Sequence, residues 1–182
     1  MLIPDTGFSD GEVDSGALEL LGAALAADMP ALLTGKGMHL LNAAFGGDAP
    51  SPMDTFDDTV EDSASTGDSA STDRQGRRQI YLSPGSKMAA IIGSAGMFRI
   101  NSEGWGDRMA LREAQRADCL MSIAYQLDDG VIEGLESKEH SWVIGVQFLP
   151  ERAEEVPASF NSLFLGLVER ADDYAATGEN RI

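Results

Sequence analysis

Cysteine and histidine are almost missing from this chain: one cysteine, Cys119, and two histidines, His39 and His140, occur in 182 residues. A lone thiol cannot close an internal disulfide, and no Cys or His pair stands at metal-ligand spacing, so neither a disulfide framework, nor a metal site, nor a cofactor is expected. Basic residues are scarce as well. Thirteen Lys and Arg face thirty Asp and Glu, for a formal charge of -17. Such a field repels phosphate backbones and anionic lipid, which argues against nucleic acid and membrane surfaces as partners and leaves solubility or a basic partner as its use. No apolar run approaches the roughly 20 residues that span a bilayer. The first residues, MLIPDTGFSD, lack the basic and long apolar portions of a secretory signal, so a cytoplasmic location is expected.

What remains is an ordinary globular composition, with 43% hydrophobic and 24% charged residues. The length suits a single domain over 1–182 with a sizeable core. One stretch departs from this. Residues 48–73 contain no Lys or Arg and are rich in Ser, Thr and Asp. Such a segment cannot bury enough apolar area to offset chain entropy, which predicts a flexible acidic loop at about 48–76. Its acids show no hard-cation loop spacing and read as solvation.

The spacing of apolar residues predicts the remaining elements. Leu18, Leu21 and Leu25 predict a helix over 14–27 with Asp14 or Ser15 as its N-cap. Ala31–Thr34 reads as a buried strand, Gly35–Lys36–Gly37 as a tight turn, and Met38–Phe45 as a helix ended by Gly46–Gly47. Strand, glycine turn and helix in so short a span form the sharp elbow of an α/β fold. Further on, strands are predicted at 79–82 and 97–100, and helices at 86–92, capped by Ser86, and 107–117. Three β segments follow, at 120–126, 131–136 and 142–148, the first two joined by the hairpin signal Asp128–Asp129–Gly130. In the third, both faces are apolar, as in an inner strand. Phe160, Leu163, Phe164, Leu167, Val168, Ala171 and Tyr174 mark a helix over 158–174, with Pro157 near its first turn and a frayed end from Ala175.

Two segments resemble a known family. Residues 30–47, P-A-L-L-T-G-K-G-M-H-L-L-N-A-A-F-G-G, are similar to the nucleophile elbow of class I glutamine amidotransferases, in the branch that hydrolyses γ-glutamyl amides (P-V-L-G-I-C-R-G-M-Q-L-L-N-V-A-L-G-G). Residues 143–151, V-I-G-V-Q-F-L-P-E, resemble its G-V-Q-W-H-P-E. Between them Ile100-Asn-Ser102 is similar to V-N-S and residues 129–136 to D-G-V-I-E-A-I-E, and Leu2-Ile-Pro4 resembles the strand before its P-G-G oxyanion turn. The resemblance implies a mostly parallel sheet flanked by helices, flavodoxin-like, with an antiparallel portion near the C-terminus. It also implies βα units ahead of the strand at Leu2. Their strands would come from a second copy, from a partner chain or from a rearranged sheet, unless the sequence is a fragment.

The family works with a Cys nucleophile, a His base and a Glu that orients the His. On that alignment the nucleophile position is Gly35, the base position is Leu149, and Glu151 alone keeps its residue. Pro4-Asp5-Thr6 stands in place of the P-G-G turn, a departure at the position of the expected oxyanion donors. The resemblance therefore implies a pseudoenzyme that acts as a binding or scaffolding subunit, in a homo-oligomer or with a partner chain completing the sheet. The competing expectation is a weak hydrolase of γ-glutamyl or other amides using non-family groups. Lys36, His39, Ser102 and Glu103 are its pocket candidates. Against these stand plainer readings: His39 as a partly exposed helical residue, His140 as a surface turn residue, Cys119 as a small buried hydrophobe and Glu151 as a turn cap.

Overall fold

The computed structural model describes residues 1–5, 8–9, 12–52, 77–101 and 109–179. Its strands in chain order are β1 (Leu2–Ile3), β2 (Phe8–Ser9), β3 (Glu12–Val13), β4 (Ala31–Thr34), β5 (Ser51–Pro52), β6 (Arg77–Leu82), β7 (Gly96–Asn101), β8 (Met109–Ala110), β9 (Leu120–Gln126), β10 (Ile132–Ser137) and β11 (Val143–Val146). The helices are α1 (Ser15–Ala26), α2 (Gly37–Ala44), α3 (Lys87–Ile92) and α4 (Ser162–Glu179). Seven strands form one sheet in the order β1-β4-β11-β10-β9-β6-β7. β1, β4 and β11 run parallel. From β11 through β10, β9 and β6 to β7 every pairing is antiparallel. This is the expected helix-flanked α/β sheet, but a mixed one: its antiparallel pairings outnumber the parallel ones and take in β6 and β7 from the middle of the chain as well as the C-terminal strands.

Alternation along the strands divides the core between the two faces. Ala31, Leu33 and Val143 pack with Leu21 of α1 and with Met38, Leu40 and Leu41 of α2. Leu32, Ile144, Val146 and Phe148 pack with Met88 and Ile92 of α3 and with Phe160 and Leu163 beside and within α4. Period-2 side-chain placement on a four-residue strand thus feeds both layers at once, which is why residues 142–150 are buried without interruption.

The caps are those the sequence called for. The Asp14 carboxylate accepts from the N–H groups of Gly16 (2.8 Å) and Ala17 (3.0 Å). Ser86 Oγ accepts from Ala89 N (3.1 Å), and α3 ends on left-handed Gly93. Each side-chain cap contributes about 1 kcal/mol.

Several expectations need correction. No helix forms over the described part of 107–117: β8 is followed by a 3-10 turn at Glu113–Gln115. The segment is held instead by Asn42 at the end of α2, whose side chain donates to the Asp48 and Gln115 carbonyls (both 3.0 Å) and accepts from Ala117 N (2.9 Å). Those long-range bonds override local helix propensity. Within the described part of the acidic loop expected at about 48–76, Ser51–Pro52 pairs with Met109–Ala110. The rest of that expectation, from residue 53 to 76, lies outside the described residues. α4 begins with a 3-10 turn at Ala158–Asn161 and continues to Glu179, so 175–179 are helical rather than frayed. Its apolar stripe is shorter than predicted, since Val168 is 58% exposed and Ala171 and Tyr174 are exposed as well. No helix among the described residues is long and apolar enough to cross a membrane.

Candidate functional site: a strand–turn–helix elbow

β4 and β11 are neighbours in register, with Val146 opposite Thr34. Gly35 is one residue past the carboxyl end of β4, and Leu149 is three residues past the carboxyl end of β11. The two positions therefore leave adjacent parallel strands at the same edge, which in open α/β sheets is where sites are built. Glu151 follows two residues on and is exposed.

Gly35 makes the elbow. Its φ of +58° is left-handed, a conformation that glycine takes without the penalty a Cβ imposes. α2 then starts at once, its first bonds running from Met38 N to the Gly35 carbonyl (3.1 Å) and from His39 N to the Lys36 carbonyl (3.0 Å). The helix lies hard against the sheet: a Cβ on Gly145 of β11 would stand 3.0 Å from Leu41 Cδ2 and 3.3 Å from Met38 Cα.

The side chains at the elbow carry little of the chemistry the family uses. Gly35 has no group to attack an acyl carbon. Leu149 has none to accept a proton, and it is buried at 6% exposure. His39 is not the partly exposed residue expected from its place on the helix; it is buried at 2%, because all of the first six residues of α2 are buried. Lys36 is half-buried, and its backbone N–H donates to Asp5 Oδ1 at 2.7 Å. Ser102 and Glu103 lie outside the described residues. β7, which leads to them, ends at Asn101 four strands away from β11, about 19 Å across the sheet at ordinary strand spacing.

Asp5 is the residue that sequence reasoning missed. The sequence marks it only as a departure from a glycine turn, and nothing local signals that its carboxylate reaches the amide of a residue 31 positions away. His140 also needs correction. It is half-buried rather than on the surface, with its ring nitrogens against Ser137 Oγ (2.8 Å) and the Leu25 carbonyl (3.2 Å) and its ring edge-on to Phe45. It ties the turn after β10 to the ends of α1 and α2, a structural role. Cys119 is half-buried rather than fully enclosed.

At the other end of the sheet a cavity of about 360 Å³ is lined by Ser83, Ser86, Arg116, Ser122, Tyr125 and Lys138, among others. Its cations are committed. Arg116 pairs with Glu113 and donates to the Ala117 and Leu120 carbonyls, and Lys138 donates to the Asp118 carbonyl (2.8 Å). Among the described residues no group of three or more Cys, His, Asp and Glu side chains is placed to hold a metal ion.

The fold, a helix-flanked sheet with a tight glycine elbow at the carboxyl edge of its parallel strands, matches solved glutamine amidotransferase-like structures. The sequence profile of the Peptidase C26 family matches residues 3–151, and the chain belongs to that family. Its sequence is similar to CTP synthase of Treponema pallidum (strain Nichols), 29% identical over 163 residues, covering 85% of this chain and 27% of the relative. CTP synthase of Methylobacterium radiotolerans is 35% identical over 112 residues, 62% of this chain and 20% of the relative. The chain thus spans about a quarter or less of these curated relatives. Among solved structures it resembles the Trypanosoma brucei CTPS glutaminase domain with bound acivicin (TM-score 0.62, 18% identity, 94% of this chain and 70% of that one). A glutamine amidotransferase from Thermotoga maritima is also similar (TM-score 0.54, 13% identity, 94% and 64%). At those identities the likeness is one of fold.

Proposed function

We propose that the protein is a catalytically inactive homologue of the class I glutamine amidotransferases, derived from the γ-glutamyl amide hydrolase branch, which acts as a binding or scaffolding subunit in the cytoplasm. The observation that carries this reading is the elbow. The strand, the left-handed turn and the helix are all built, yet the apex is Gly35, and the position that follows the neighbouring parallel strand at the same carboxyl edge is Leu149. A thiol–imidazole mechanism needs both the attacking atom and its proton acceptor, and losing members of such a unit removes most of its rate at once.

The surface that serves instead is the sheet edge at β1. It is a two-residue strand with Leu2 half exposed, and edge strands present backbone groups that pair readily with another strand. A second copy of the chain, or a partner chain, completing the sheet there is the assembly that fits.

Two measurements test the reading. Incubation with γ-glutamyl anilide should release no amine above buffer. Saturable release that Glu151→Ala abolishes would establish the weak hydrolase with non-family groups instead. Sedimentation velocity should show a species larger than one chain, whereas a strict monomer at high concentration would remove self-assembly from the account.

A further inference from the structure

We propose that Asp5 closes the elbow from within, its carboxylate occupying both the space of a nucleophile side chain and the amide that would hold an oxyanion. A Cβ built on Gly35 would stand 2.7 Å from Asp5 Cγ and 2.8 Å from Asp5 Cβ, and closer still to Oδ1. Real Cβ atoms do not approach so closely, so a side chain at position 35 requires the Asp5 side chain to leave its place. The same Oδ1 accepts the Lys36 N–H at 2.7 Å. In a nucleophile elbow the N–H of the residue after the nucleophile is an oxyanion donor. Here that donor already holds a charged oxygen. The contact is no isolated rotamer. The carbonyls of Ile3 and Pro4 lie 3.1 and 3.3 Å from the place of a Cβ on Gly37, so residues 3–5 lie along the elbow from 35 to 37. β1 beside β4 delivers them there.

The inference deepens the inactive reading and rests on it. The elbow is not an empty site that lacks one atom; it is a site filled by its own chain. Restoring a thiol by Gly35→Cys alone should then give a strained, obstructed sulfur, and only removal of Asp5 should free it.

The test uses the full chain in a Cys119→Ser background. Gly35→Cys and Asp5→Gly/Gly35→Cys are each treated with iodoacetamide under native conditions, folding being checked by circular dichroism. The double variant should alkylate at least about ten-fold faster than the single one. Equal rates in folded proteins would overturn the proposal. If Gly35→Cys does not fold, exchange of the Lys36 amide decides without a cysteine. Asp5→Gly should speed that exchange about ten-fold or more, while Asp5→Asn, which keeps an acceptor of the same size, should leave it close to the parent rate. Unchanged exchange in Asp5→Gly would contradict the contact. Turnover of a γ-glutamyl amide by the parent protein would sink the inactive reading without altering the Lys36 result, so the two failures are separable.

Discussion

Two carboxylates meet helix amides at opposite ends of the same sheet, and they differ in depth. At the carboxyl ends of β4 and β11, Asp5 accepts the Lys36 N–H from an exposed position. At the far end, Glu136 of β10 accepts the Lys87 N–H at 2.8 Å from a residue only 2% exposed. Burial pushes the Glu136 carboxyl above the usual carboxylate range, against the pull of the backbone amides of Lys87 and Met88 and the Lys87 cation. The Lys87 ammonium in turn donates to the carbonyls of Ser137 (2.7 Å) and His140 (2.8 Å). The bond type is the same in both places, yet the consequences diverge. At the Glu136 end it is part of the core and its loss unmakes packing; at the Asp5 end it lies on the rim and its loss opens a site.

The greatest loss should come from Gly145→Val, which forces side-chain atoms into α2 where Met38 and Leu41 already touch β11; about 3 kcal/mol is expected for such overpacking, read by urea unfolding. A smaller value would mean that α2 is free to move off the sheet and that the elbow is less fixed than drawn. Glu136→Ala should cost about 2 kcal/mol by the same measurement, since it leaves buried amides of α3 without their acceptor.

The pH dependence sharpens the contrast. The folded state holds the Glu136 proton more tightly than the unfolded chain does. Its favourable contribution is therefore complete below the unfolded value of about 4.3 and is lost as pH rises through the raised one. Melting curves should show the parent losing stability relative to Glu136→Gln as pH climbs across that window; parallel curves would contradict the burial argument. Asp5→Ala should have the least effect on stability, under about 1 kcal/mol, as expected for one hydrogen bond at an exposed residue.

How much of this could be read from the chain follows the range of the interactions. Elements set by local pattern were legible: Asp14 and Ser86 as caps, the strand at 31–34, the glycine elbow and the hairpin at 128–130 all rest on neighbours in sequence. The elbow with its partner segment at 143–151 was legible through family likeness, and the register of β4 with β11 puts Gly35 and Leu149 at one edge. What failed depends on distant partners. The helix expected over 107–117 gave way to bonds from Asn42. His39 was misjudged because helical periodicity does not reveal that a helix is covered on most sides. The direction of the Asp5 side chain is fixed by β1 lying beside β4, which no local pattern encodes.

Whether the elbow performs chemistry can be measured directly. Ammonia release from millimolar L-glutamine, followed continuously for the parent protein, Asp5→Gly and Glu151→Ala, addresses it. The account predicts the buffer rate for all three, because opening the elbow supplies space but no attacking group. A glutamine-saturable rate in the parent that vanishes in Glu151→Ala would contradict it.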